Sequence, residues 1–201
     1  MPIVEYTNSK GLVQKTGSGG LDISEGTINP TAVPTAGTGI TTGVGTVVKY
    51  CHERLGSGII RTSILVDITG LRTSGVDRDI IGKVATANCH LGQVKASTWG
   101  TVFGGKLTVL ETPVDANAAA TAADIDISTS SVSTGTEDAG GAALADAAVL
   151  YNTAENLAAG NVRGLVAPAA DQFIYLETGS AVHGAGVYNA GQLLLEFWGT
   201  V

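Results

Sequence analysis

Charge is scarce in this chain: Asp, Glu, Lys and Arg make up 14% of its 201 residues, against roughly 25% in an average soluble protein. So little charge argues against a helical enzyme with solvated faces. It leaves Thr, Ser and Ala to cover the surface. Aromatic residues are sparse as well, at 5%. Cations are the scarcest charged groups, 11 against 18 carboxylates, for a net charge of −7. No Lys or Arg lies between Lys106 and Arg163, whereas Asp115, Asp124, Asp126, Glu137, Asp138, Asp146 and Glu155 do. Nucleic-acid binding needs clustered cations to displace counterions from phosphate. A nucleic-acid partner is therefore not expected, and neither is an anionic membrane. Cys51 and Cys89 are too few for a disulfide framework. No charged-then-apolar leader follows Met1, and no apolar run is long enough to span a bilayer. Asn29-Pro30-Thr31 is blocked as a glycosylation acceptor by its proline. These absences point to synthesis in a cytoplasm.

Glycine, by contrast, is abundant, at 28 residues. Short β-runs punctuated by Gly, Asn or Asp recur to the C-terminus. The clearest is Arg61 to Gly82, where Ile60, Thr62, Ile64, Val66 and Ile68 alternate with Arg61, Ser63, Leu65, Asp67 and Thr69. This period of two belongs to a strand with one face in a core. Strands are expected over 47–55, 59–69, 80–85 and 90–96. Trp99–Phe103 and Lys106–Thr112 flank Gly104-Gly105, a two-residue hairpin turn by composition. Residues 112–141 read as a loop interrupted by a short strand at Ile125 and Ile127. Leu144, Ala148 and Tyr151 stand at helical spacing within 142–152. Strands resume at 162–167, 173–177 and 193–198.

The fold class is therefore mainly all-β, a β-sandwich with a jelly roll as one candidate topology and a small helical insertion. Residues 46–201 form its body. Residues 1–45 form an extended N-terminal arm, because Pro30 and Pro34 in a Thr/Pro/Gly-rich stretch forbid helix and central-strand pairing. Val4, Tyr6, Leu12 and Val13 are the candidate partner contacts of that arm, since apolar residues there have little local core to enter.

The chemical candidates are weak on spacing. Cys51-His52 and Cys89-His90 could in principle ligate zinc, but adjacent residues on a strand point to opposite faces. A small thiol, buried, beside a surface or hydrogen-bonded imidazole is the expectation at both pairs. Asp124 and Asp126 would share one strand face, so ligation with Glu137 or Asp138 is conceivable, yet no calcium-loop spacing supports it. A solvated acidic loop is the expectation there. No nucleophile elbow or phosphate loop occurs, and His183 stands in a Gly-rich loop without an obvious carboxylate partner. No catalytic, metal or cofactor-binding residue is assigned, and no small-molecule substrate is expected.

Several phrases resemble small virion structural proteins of tailed bacteriophages. They are VEYTNSKGLVQKTGSG, ILVDITGL with DIIG, HLGQ with GTVFGGKLTVLETP, and FIYLETGSA with YNAGQLLLEFWG. The resemblance implies a capsid decoration (cement) protein on the outer shell. Its partners would be the major capsid protein and itself, as a homo-oligomer with a trimer favoured. The alternative is a tail, fibre or knob β-domain binding a host receptor or glycan, which exposed Trp99, Tyr188 or Trp198 clustered on one concave face would favour. An enzyme would require His52, His90 or His183 to meet a carboxylate in a cleft.

Overall fold

A computed structural model describes residues 4–7, 11–14, 34–41, 47–55, 58–73, 75–115, 122–180 and 185–200, with side chains from Pro34 onward, Val47 excepted. Strands β1 (Val4–Thr7) and β2 (Gly11–Gln14) pair antiparallel as a two-stranded sheet of their own. A single helical turn, α1 (Thr38–Thr41), precedes β3 (Val47–Leu55) and β4 (Ile59–Asp67). The short β5 (Arg72–Thr73) and β6 (His90–Gln93) follow, then the turn α2 (Ala96–Trp99) and the long β7 (Thr101–Asp115). The chain ends with β8 (Ile125–Ser130), β9 (Ala148–Tyr151), β10 (Val162–Leu165), β11 (Phe173–Thr178) and β12 (Gly186–Thr200).

Two larger antiparallel sheets make the body, an all-β sandwich-like arrangement. The first has the order β10-β7-β12-β4-β3, with β5 beside the start of β12; the second has the order β6-β11-β8-β9. Period-two burial sets the packing. In β4 the residues Ile60, Thr62, Ile64 and Val66 are buried and their neighbours are not. Leu107, Leu195 and Ile64 lie in one cross-strand row, and Val109, Leu193 and Val66 in the next. They join Ile125, Ile127, Ile174 and Leu176 of the second sheet in one apolar core. At one side of the sandwich Tyr50 of β3 donates its hydroxyl to the Leu91 carbonyl of β6, 2.7 Å away. At the other, Val166 N–H bonds the Leu150 carbonyl at 2.9 Å.

Three expectations are corrected. First, Gly104-Gly105 makes no hairpin, because β7 runs straight through both residues and pairs with β12 from end to end. Gly105 lies opposite Phe197, where a Cβ would fall 2.7 Å from Phe197 Cδ1 and 3.0 Å from the Glu196 carbonyl oxygen. The missing side chain lets the Phe197 ring lie over the strand and reach Trp99, with ring centroids 5.5 Å apart. Gly105→Val is accordingly expected to cost about 1–3 kcal/mol through overpacking. Gly104→Ala, entering open space, serves as the control that moves little. Urea unfolding of the pair checks this, and equal stability of the two variants would refute it.

Second, residues 142–152 form no helix. Gly141–Ala143 makes a 3-10 turn, Asp146 takes a left-handed φ of 53°, and β9 then pairs with β8. A left-handed residue interrupts helix propagation, so the helical spacing of Leu144, Ala148 and Tyr151 has no helix to occupy. Third, residues 80–85 form no strand. Isolated bridges join Ile80 to Glu177 and Gly82 to Arg72.

The body also reaches back beyond its expected start at residue 46. Ile40 is fully buried, and Gly37 N–H donates to the His90 carbonyl at 2.8 Å. Gly37 has to be glycine for this approach, since a Cβ there would sit 1.9 Å from the Asn88 carbonyl oxygen.

Candidate functional site

The candidate arm contacts lie on β1 and β2. Tyr6 pairs in register with Leu12, Val13 with Glu5, and Val4 with Gln14. Their side chains, like His183, lie outside the described residues. The two Cys-His pairs stay apart from one another. Cys51 is exposed and its thiol donates to Glu53 Oε1 at 3.4 Å, while His52 Nδ1 lies 2.9 Å from Thr62 Oγ1. Cys89 is buried and donates to the Thr86 carbonyl at 3.1 Å. His90 packs on Phe173 and Tyr175, with centroids 4.7 and 6.2 Å away, and its buried Nδ1 has no hydrogen-bond partner among the described residues. Burial keeps both imidazoles below their usual titration range. The expected pattern therefore fails twice: the Cys51 thiol is at the surface, and the His90 ring is buried with one nitrogen unsatisfied. Trp99 and Tyr188 are core residues, 1% exposed, so they cannot join Trp198 in an aromatic binding platform.

The acidic stretch departs furthest from expectation. Asp124 and Asp126 are not in a solvated loop; they are 0% and 2% exposed. All six residues of β8 are buried because both of its faces are covered. Ile125 and Ile127 enter the sandwich core. Asp126 and Ser128 stand on the opposite face, opposite Glu177 and Tyr175 of β11. Two loop segments roof that face. Gly141 packs against the Glu177 carboxylate and Gly135 against the Tyr175 ring. The stretch Arg78–Ile81 is stitched on both sides: Arg78 N–H to Thr178 O at 2.8 Å, Ile81 N–H to Leu176 O at 2.9 Å, and Ile80 N–H to Ala139 O at 2.9 Å.

Under this roof lie the buried carboxylates of Asp126 and Glu177, with Asp124 beside them, and Arg78 contacts Glu177. Arg78 Nε donates to Glu177 Oε2 at 3.1 Å, and the Ser128 hydroxyl donates to Glu177 Oε1. Neither oxygen of Asp126 has a hydrogen-bond partner among the described residues. Burial, then the nearby Asp124, Glu177 and Asp77 charges, push Asp126 up to about 7, with Arg78 opposing. Glu177 is also raised, first by burial. Among the described residues no group of three or more His, Cys, Asp or Glu is placed to hold a metal ion. The Arg78–Glu177 pair forms a polar latch between roof and sheet. Sequence reasoning missed Glu177 and Arg78. The available signal was a carboxylate inside the apolar run Phe173–Thr178.

The outer face of the first sheet carries a second charge system. Arg61 pairs with Glu53 at 2.7 Å and with Glu196 at 3.5 Å, and Lys106 pairs with Glu196 at 2.6 Å. Lys106 Nζ also stands 5.8 Å from the Trp198 ring centroid. At the β10 edge the texture changes to apolar: Phe103, Leu110, Val162 and Val166 are 59%, 47%, 51% and 64% exposed. Val162 lies opposite Thr108, within the stretch where β10 pairs with β7. Val166 also lines a shallow, open pocket of about 420 Å³, together with Val149, Leu150, Tyr151 and Arg163. No protein-family model matches this chain, and no match is found among curated proteins or solved structures.

Proposed function

We propose that this chain is a virion structural protein of a tailed bacteriophage, a capsid decoration protein that braces the head shell. It acts by contact with the major capsid protein and with copies of itself, without catalysis and at the capsid surface. The observation that carries this reading is the exposure of the apolar side chains Phe103 and Leu110 on β7 and of Val162 and Val166 at the β10 edge. Exposed apolar side chains on an edge strand and its neighbour fit a protein-docking surface. The resemblance of four sequence phrases to small virion proteins supplies the identity of the partner. The separate β1–β2 hairpin suits an arm that grips a neighbour.

The test is binding to shells that lack the protein. The full chain is expected to bind saturably, in a fixed ratio to the capsid protein. Deleting the first twenty residues is expected to abolish binding while circular dichroism of the body stays unchanged, and Val166→Asp with Phe103→Asp is expected to weaken it. Normal binding by the truncated chain removes the arm from the reading, and no binding by the full chain removes the reading itself.

A further inference from the structure

The first sheet ends at β3, and its outer edge has no strand beside it among the described residues. This edge is nine residues long and in unbroken register with β4. Long regular edges present unpaired N–H and C=O groups that template pairing with another chain. We propose that β3 pairs antiparallel with β3 of a second copy, across a two-fold axis passing through Cys51.

The side chains of β3 select both the partner and the register. In an antiparallel pair centred on Cys51, residues equidistant from it face each other. Lys49 then meets Glu53 of the second copy, Glu53 meets Lys49, and the two Cys51 thiols adjoin. These residues belong to one face of the strand, the outer face that also carries Arg61 and Glu196. Lys49 is exposed and has no ion-pair partner among the described residues. Glu53 binds Arg61 through Oε2, and its Oε1, bonded among the described residues by the Cys51 thiol alone at 3.4 Å, is available to an incoming ammonium. The pairing thus extends the Lys106–Glu196–Arg61–Glu53 chain of charges across the axis. Moving the axis by one residue, to Tyr50 or His52, loses both Lys–Glu pairs. A half-residue shift places outer-face residues opposite inner-face ones, which a pleated sheet forbids. A contact made by one patch with itself closes after two copies. The inference goes beyond the virion reading, because the pairing does not depend on where the protein resides.

Sedimentation equilibrium of the full chain, joined to cysteine cross-linking, tests it. A reversible dimer is expected. An added copper–phenanthroline oxidant, taking one electron from each thiol as both protons leave, should yield a covalent dimer joined at Cys51. Cys51→Ser should give none, since Cys89 is buried. Lys49→Glu sets like charges opposite each other twice per dimer and should raise the dimer Kd roughly tenfold, with the protomer's melting temperature unchanged. A protein that stays monomeric overturns the proposal. So does a dimer that neither cross-links through Cys51 nor responds to Lys49→Glu, which would place the contact on another face or on β1.

Discussion

Asp126→Asn is expected to abolish most of the loss of stability that the protein suffers on going from about pH 4 to about pH 8. The sign follows from where the proton sits. Asp126 has an ordinary value of 3.8 and is held at about 7 in the folded chain. A carboxyl raised in this way keeps a proton that the unfolded chain has already released. Its contribution is fully present below the unfolded value and is lost as pH rises through the folded one. A span of about three units corresponds to roughly 4 kcal/mol at most. Glu177, also raised, works in the same direction. The asparagine variant carries no charge to desolvate, though its amide inherits the unmade hydrogen bonds of Asp126. It should therefore be about 2–3 kcal/mol more stable than the parent at pH 8 and nearly pH-independent at this site. Urea unfolding of both proteins across that range decides. Parallel stability curves for the two would show that the strain lies elsewhere.

How legible this cluster was depends on what each residue type reveals alone. Ile60 to Ile68 declared their strand because period-two burial is local: each side chain's face follows from its neighbours, and β4 buries Ile60, Thr62, Ile64 and Val66 accordingly. That Asp124 and Asp126 share a strand face was legible for the same reason. What covers that face was not. The roof comes from Gly135, Gly141 and Arg78, and Arg78 is far away along the chain. Glycine misled for a related reason. Gly104-Gly105 has the composition of a turn, yet its use is to admit the Phe197 ring, a neighbour contributed by the last strand. Trp99 and Tyr188 were open to either burial or exposure on composition, and both are core residues. The edge at β3, without a neighbouring strand among the described residues, became visible only once the strand order was known, although the spacing of Lys49, Cys51 and Glu53 was in the sequence throughout.

Removing the one cation of the cluster tests the latch from the other side. Arg78→Met keeps an unbranched apolar stem but leaves the Glu177 carboxylate, 0% exposed, with the Ser128 hydroxyl alone. Stripping one partner from a buried ion pair costs about 3–5 kcal/mol, because the remaining charge stays desolvated. The Arg78 side chain is itself 25% exposed, which places the expected loss near the lower end, about 3 kcal/mol. The loss should shrink on acidification as Glu177 takes up a proton. It should also be largely recovered when Glu177→Gln is added, since no buried charge then remains. Hydrogen exchange supplies the local readout. The amides of Arg78 and Ile81, bonded to Thr178 and Leu176, should exchange faster in Arg78→Met than in the parent, while those of β4 and β12 change only with global stability. A loss as large at about pH 4 as at about pH 8, unrelieved by Glu177→Gln, would mean that Arg78 holds the roof through the packing of its stem, and that charge is not what closes it.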